Sequence, residues 1–205
     1  MHAPMNAPQN EIASRRFPHF VKLALLLLAV LLILPITASA QTPAVGSQAP
    51  DFTLRTPSGR AVRMSHLLGN GPLVLIVLRG YPGYQCPFCQ MQVHDFIVHA
   101  HDFAAMHARV LLVYPGPPAH LDQRAKEFLE TESQLPANVV LVVDPDYVAT
   151  NLYGLRWNAP RETAYPSTFI LNKKGKVIFE KISHSHGDRL SAEDALKRLK
   201  SEHRD

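Results

Sequence analysis

Apolar residues gather along the chain in short uninterrupted runs, and amphipathic segments separate these runs. Three runs are rich in β-branched residues, which predicts strands that are buried in a sheet. They are PLVLIVLRG from Pro72, ARVLLVYPG from Ala108 and NVVLVVDPD from Asn138. After the first run, apolar positions repeat with the i, i+4, i+7, i+8 spacing of one helix face, which predicts a long helix that begins near Cys86. The positions on this face are Cys89, Val93, Phe96, Ile97, Ala100, Phe103 and Ala104.

The remaining elements follow from turn signals and capping patterns. DFTLRTPSGRAVRMSHLLG predicts two short strands and a helical turn, and YPSTFILNKKGKVIFEKI predicts a hairpin. HLDQRAKEFLETES and SAEDALKRLKSEH predict helices, and DYVATNLYGL predicts a short helix that ends at Gly154. Strands that alternate with helices predict an α/β fold, with a central mixed β-sheet flanked by helices on both faces.

The N-terminal segment has a different pattern from the rest of the chain. Fourteen residues without charge run from Leu23 to Ile36, three basic residues precede them and the small residues ASA follow. This order is typical of a secretory signal, and the run is short for a permanent membrane span. We therefore expect residues 1–40 to be a signal peptide, with cleavage after Ala40 and export to the periplasm. An uncleaved membrane anchor is the alternative, and both the general and the twin-arginine export routes stay open.

The expected mature chain, residues 41–205, is long enough for one domain with a sizeable core. The full chain has 205 residues and a formal net charge of +4. No basic stripe with interleaved aromatic residues is present, which argues against a nucleic-acid partner.

Both cysteines of the chain lie in one CPFC motif, Cys86 to Cys89. A structural disulfide across so short a loop would constrain little of the unfolded chain, and a structural zinc site needs four ligands. A redox pair explains the spacing best.

The position of this pair between a strand and a helix gives each cysteine a different role. Pro87 suits the first helical position, and the free N–H groups and positive end of the helix dipole would then lower the pKa of Cys86. Cys89 lies one turn further along the apolar face and should be less acidic. We expect Cys86 to attack a disulfide and Cys89 to resolve the mixed disulfide.

Four segments resemble the thioredoxin-like superfamily from about Val45 to the C-terminus: QAPDFTL, the strand leading into CPFC, VVDPDYVATNLYGL and AYPSTFILNKKGKV. The first and third are similar to the peroxiredoxin branch with its AhpC/TSA domain, and CPFC is close to a glutaredoxin-type CPYC. The resemblance implies a thioredoxin-like fold. It also implies a cis peptide bond before Pro166, facing the redox site, with the backbone of Tyr165 free to pair with substrate.

Two positions depart from the peroxiredoxin pattern Pro-x-x-x-Thr/Ser-x-x-Cys. Pro82 and Cys89 match its ends, but Cys86 occupies the Thr/Ser position. The family's peroxide-polarising arginine is expected where Pro166 stands. Arg79 could partly supply that charge, or it could be a solvated arginine at a strand end.

Other residues near the motif suggest further contacts. Tyr84 and Phe88, together with Tyr81, could form an apolar rim for a protein partner. His184 and His186 in HSHGD leave a copper-handling protein as a minor alternative, although we assign no metal site. Asp144, which precedes Pro145, is interpreted as a turn residue.

The sequence thus predicts an exported thiol–disulfide oxidoreductase that needs no cofactor beyond its redox-active disulfide. A thiol-dependent peroxidase with Cys89 as the peroxide-reacting cysteine is the alternative. The expected partners are protein thiols and disulfides or a hydroperoxide, together with an unidentified thiol reductant or oxidant.

Overall fold

The computed structural model describes residues 41–69, 71–132 and 134–202. One seven-stranded sheet has the order β2-β1-β5-β4-β3-β6-β7. Its strands are β1 (Thr53–Arg55), β2 (Ala61–Arg63), β3 (Leu73–Val77), β4 (Arg109–Gly116), β5 (Val139–Pro145), β6 (Ser167–Leu171) and β7 (Val177–Ile182). The α-helices of the described residues are α1 (Pro87–Val98), α2 (Ala100–Ala105), α3 (Leu121–Leu129), α4 (Val148–Leu152) and α5 (Ala192–Glu202), and a 3₁₀ turn spans Met64–Leu67.

The three continuous apolar runs form the centre of the sheet, as predicted. β3, β4 and β5 run parallel to one another. β6 is antiparallel to both of its neighbours, β3 and β7. The sheet is therefore mixed, and the predicted fold class is confirmed. One face packs against α1, α2, α3 and α5, and the other packs against the 3₁₀ turn and the short α4.

The long helix expected from Cys86 to Ala104 is interrupted at His99. The backbone of His99 leaves the helical region (φ −93°, ψ 10°), so that α1 ends and α2 begins there. Its ring nitrogen Nδ1 lies 2.9 Å from the Asp95 carbonyl oxygen, so this polar side chain binds the backbone at the break. The apolar face nevertheless continues, since Phe96 and Phe103 stack at 5.3 Å between ring centroids.

The sheet order brings two distant segments to one edge. Val77 at the end of β3 pairs with Ser167 at the start of antiparallel β6, so the loop that carries CPFC meets the loop before β6. Gly80 has a φ of +73°, and a Cβ at this position would overlap the Pro115 carbonyl. The chain can leave β3 along this path only because residue 80 is glycine.

The predicted signal peptide lies outside the described residues. Within the part of the chain that the structure describes, no helix is both long and apolar enough to cross a bilayer.

Candidate active site

Cys86 and Cys89 mark the start of α1, as the sequence predicts. Cys86 is the N-cap residue with extended backbone (φ −88°, ψ 112°), and Pro87 occupies the first turn. The Cys89 N–H donates to the Cys86 carbonyl at 3.0 Å. Both cysteines have free thiols, and only 1% of Cys86 and 0% of Cys89 is exposed. The two sulfurs therefore share one buried pocket at a helix N-terminus.

The two thiols differ in acidity. The pKa of Cys86 is lowered to about 5, mainly by a hydrogen bond from the Cys89 thiol. Burial of Cys86 opposes this shift, whereas the Cys89 N–H, Arg189 and Arg79 lower the pKa further. Burial is the main cause that raises the pKa of Cys89 well above its ordinary value, and the neighbouring Cys86 raises it further. At neutral pH Cys86 is thus a thiolate and Cys89 a thiol that donates to it.

Arg189 contacts both sulfurs, and no pattern in the sequence predicts this position. Its Nη2 lies 3.8 Å from Cys86 Sγ and 3.5 Å from Cys89 Sγ. Nη1 donates to Gln92 Oε1 at 2.9 Å, and Nε donates to the His186 carbonyl at 2.8 Å. The residue follows β7 in an irregular segment, so no sequence periodicity could have assigned it to the site. It supplies a positive charge that the chain lacks at Pro166.

Arg79 is buried, which contradicts the alternative of a solvated arginine at a strand end. Only 1% of the residue is exposed, and its Nε donates to Glu162 Oε2 at 2.5 Å. Nη2 donates to the Arg161 carbonyl at 2.6 Å, and the guanidinium lies 5.0 Å from the centre of the Tyr84 ring. Arg79 therefore joins the end of β3 to the loop before β6, directly beside Cys86.

The two histidines of HSHGD form part of the wall around the site. His186 Nε2 lies 2.9 Å from Glu162 Oε1, and the His184 ring packs edge-on against Tyr165 at 4.9 Å. Among the described residues, no group of three His, Cys, Asp or Glu side chains is placed to hold a metal ion. The imidazole ring of His186 contacts the Glu162 carboxylate and the aromatic ring of Trp157.

The expectation of a cis peptide bond before Pro166 is wrong. No peptide bond in the described residues is cis. Pro166 is buried and leads directly into β6, and its carbonyl accepts from the Ser183 N–H at 2.8 Å. The trans form that most X–Pro bonds prefer satisfies this extended path.

The expectation of a free backbone at Tyr165 is also wrong. The Tyr165 N–H donates to the Leu155 carbonyl at 2.9 Å, and its own carbonyl accepts from Ser167 Oγ at 2.8 Å. Its ring stacks on Trp157 with 4.8 Å between centroids. An extended substrate therefore finds no unpaired N–H at this position.

Apolar side chains are exposed in and next to the CPFC motif. Tyr84 and Phe88 are each 44% exposed, and Met91, one turn along α1, is 67% exposed. A Cβ at Gly187 would lie 3.5 Å from the Phe88 ring, so the segment after β7 passes directly beside it. This part of the chain therefore presents apolar surface to solvent.

Asp144 is a buried cap and not a turn residue on the surface. Its carboxylate accepts from the N–H groups of Ala149 and Thr150 and from the Thr150 hydroxyl at 2.7–3.1 Å. Burial raises the pKa of Asp144, although these hydrogen bonds act in the opposite direction. The residue fixes the start of α4.

Comparison with known proteins agrees with this fold. Residues 45–180 match the model of the AhpC/TSA family. A Helicobacter pylori sequence described as a bcp-type peroxiredoxin is 31% identical over 160 residues, which cover 76% of this chain and 97% of the relative. Peroxiredoxin Bcp of Bacillus subtilis is 29% identical over 66% of this chain and 83% of its own. The crystal structure of peroxidoxin BcpB from Mycobacterium tuberculosis superposes with a TM-score of 0.63 at 23% identity, covering 78% of this chain and 97% of the other.

Proposed function

The chain belongs to the AhpC/TSA family, and from this premise we propose that it is a thiol-dependent peroxidase. It is an enzyme whose redox chemistry resides in cysteine and requires no cofactor. The sequence alone favours general thiol–disulfide exchange over a peroxidase, whereas the relatives favour the peroxidase. The observation that carries the proposal is the position of Cys86 at the N-terminus of α1, with the Arg189 guanidinium 3.8 Å from its sulfur and the buried Cys89 one turn along the helix.

Within this function we assign peroxide attack to Cys86, although the family pattern aligns Cys89 with the peroxide-reacting cysteine. The thiolate is the nucleophile in such reactions, and the pKa of Cys86 is lowered to about 5. Burial holds Cys89 in its thiol form. The acidity of the two sulfurs therefore supports Cys86 as the attacking group and Cys89 as the resolving group.

The proposed cycle has three steps that balance. The Cys86 thiolate attacks the terminal oxygen of the hydroperoxide, so that an S–O bond forms and the O–O bond breaks. Cys86 becomes a sulfenic acid, and the released alkoxide or hydroxide takes a proton from solvent. Cys89 then attacks the Cys86 sulfenic acid, which forms the disulfide and releases water with the Cys89 proton. An external dithiol reduces this disulfide by exchange and is itself oxidised.

The assignment is tested with Cys86→Ser and Cys89→Ser in a peroxide-consumption assay with dithiothreitol. We expect Cys86→Ser to be inactive, and Cys89→Ser to accumulate a sulfenic acid on Cys86 that dimedone traps. The chain has only two cysteines, so the labelled peptide identifies the reacting sulfur directly. Peroxide consumption by Cys86→Ser would show instead that Cys89 reacts first.

Thiol–disulfide exchange with proteins is a second candidate, favoured by one observation. Tyr84 and Phe88 expose apolar surface in and next to the CPFC motif, where a protein partner could dock. Reduction of insulin disulfides by the wild-type protein, with a mixed disulfide trapped on Cys86 in Cys89→Ser, would support this activity. A protein that consumes peroxide but leaves insulin intact would be a peroxidase alone.

Export to the periplasm remains part of the proposal. It is supported by the apolar run from Leu23 to Ile36 and the ASA sequence that follows. N-terminal sequencing of the protein from a periplasmic extract should begin at Gln41. Replacing Arg15 and Arg16 together by lysine separates the two export routes, since only the twin-arginine route requires the arginine pair.

A further inference from the structure

One guanidinium contacts both sulfurs of the site. Arg189 Nη2 is 3.5 Å from Cys89 Sγ and 3.8 Å from Cys86 Sγ, so it contacts both cysteines and is slightly nearer to the resolving one. A charge in this position can stabilise either thiolate.

The position of Arg189 is fixed from the helix that carries the cysteines. Gln92 lies one turn beyond Cys89 in α1 and is only 7% exposed. Its Oε1 accepts from Arg189 Nη1 at 2.9 Å, and its Nε2 donates to the Leu190 carbonyl at 3.3 Å. One buried amide thus binds both the guanidinium of Arg189 and the backbone of the next residue.

We propose that Gln92 is a positioning residue that holds Arg189 in contact with both Cys86 and Cys89, so that one guanidinium assists both halves of the catalytic cycle. This inference rests on the proposed peroxidase cycle. In the first half Arg189 stabilises the Cys86 thiolate. In the second half the same group stabilises the Cys89 thiolate as that sulfur attacks.

The order of the two steps follows from the charges around Cys89. Before oxidation, burial and the neighbouring Cys86 keep the pKa of Cys89 high, while Arg189 acts in the opposite direction. Oxidation of Cys86 to a sulfenic acid removes its negative charge, whereas the charge of Arg189, 3.5 Å from Cys89 Sγ with both thiols reduced, is unaffected by this reaction. Cys89 therefore becomes easier to ionise after Cys86 has reacted, which is when its attack is needed.

The first test measures thiolate formation without any peroxide. The absorbance of the reduced protein near 240 nm is followed below pH 8, where tyrosine stays protonated. We expect Arg189→Met to raise the Cys86 midpoint by about one pH unit, since a nearby opposite charge has an effect of this size. Gln92→Met should raise it by roughly half as much, because Arg189 is then less firmly held.

The second test asks whether Gln92 acts through Arg189. Stopped-flow measurements with hydrogen peroxide separate Cys86 oxidation from disulfide formation, and Gln92→Met should slow both phases by roughly fivefold. Once Arg189 is methionine, adding Gln92→Met should have no further effect on either rate. Gln90→Met is the matched control on the same helix, since Gln90 makes no side-chain hydrogen bond within the described residues, and it should behave as wild type.

The outcomes separate this inference from the proposed function. An unchanged titration midpoint in Gln92→Met, or full additivity of the two substitutions, would overturn the positioning role while peroxide consumption stands. If the wild-type protein consumes no peroxide, the peroxidase proposal fails, and with it the assistance that Arg189 gives to the two steps.

Discussion

The ion pair between Arg79 and Glu162 gives the strongest prediction about stability. The side chains are 2% and 11% exposed, and Nε and Oε2 are 2.5 Å apart. Glu162→Gln preserves the shape of the side chain but removes its negative charge. The buried guanidinium of Arg79 then keeps the Arg161 carbonyl as a partner and loses its counter-charge.

The expected loss in the free energy of unfolding is about 2–3 kcal/mol. Removing one partner of a buried ion pair commonly costs roughly 3–5 kcal/mol, and the remaining hydrogen bond to the Arg161 carbonyl reduces the penalty. For a domain of this size, the loss corresponds to a fall of about 4–12 °C in the melting temperature.

The effect should depend on pH in a defined direction. Burial works against ionisation of Glu162, but hydrogen bonds from Arg79 and His186 lower the pKa of its carboxyl below the ordinary value. A carboxyl with a depressed pKa stabilises the fold above its unfolded-state pKa, and this contribution is lost as the pH falls through the folded-state value. The difference between wild type and Glu162→Gln should therefore be full at neutral pH and shrink in acid.

Urea unfolding of the purified variants measures the difference. Glu127→Gln is the control, because the Arg124–Glu127 pair has similar geometry at 2.8 Å but is about one-third exposed on each side. This control should lose no measurable stability. The double variant Arg79→Met, Glu162→Gln should lose less than the sum of the two single variants. Strict additivity, or a Glu162→Gln protein as stable as the control, would refute the reasoning.

Three further outcomes follow from the structure. The rate of reaction with peroxide should rise as the pH increases through about 5 and then level off, because the Cys86 thiolate forms in that range; a midpoint above 8 in the stopped-flow profile would contradict this. Gly80→Ala should lower the free energy of unfolding in urea by about 2 kcal/mol or more, because residue 80 has a positive φ and a Cβ there would overlap a neighbouring carbonyl. Gly69→Ala is the control and should lose little stability, since the space around its Cβ position is open. Asp95→Ala should lower the free energy of unfolding by about 1 kcal/mol, since Asp95 Oδ2 accepts from the Ala192 N–H at 2.7 Å and so caps the start of α5. An unchanged midpoint of urea unfolding would count against this cap.

The expectations for the loop before β6 show where the resemblance was insufficient. The sequence predicted a cis bond and a free backbone N–H because thioredoxin-fold proteins have them at this point. In the structure the peptide bond before Pro166 is trans, and the Tyr165 N–H donates a hydrogen bond to the Leu155 carbonyl. A conformation of this kind depends on which strands and loops pack beside the residue, so a matching motif is not enough to fix it.

The sequence by itself determined the local chemistry of this protein. Continuous apolar runs specify the central strands, and Cys86 followed by Pro87 specifies a thiol at the start of a helix, because these features depend on neighbours within a few residues.

Only the tertiary structure decided which charges surround that thiol. Arg189 is 103 residues from Cys86 and 97 from Gln92, and Arg79 is 83 residues from Glu162. Such contacts arise because the sheet order brings segments at the ends of β3, β6 and β7 together. Arg189 lies in an irregular loop, where no repeating sequence pattern predicts which residue it will contact. The acidity of Cys86 therefore depends partly on its place in the chain and partly on a fold that delivers a distant guanidinium to it.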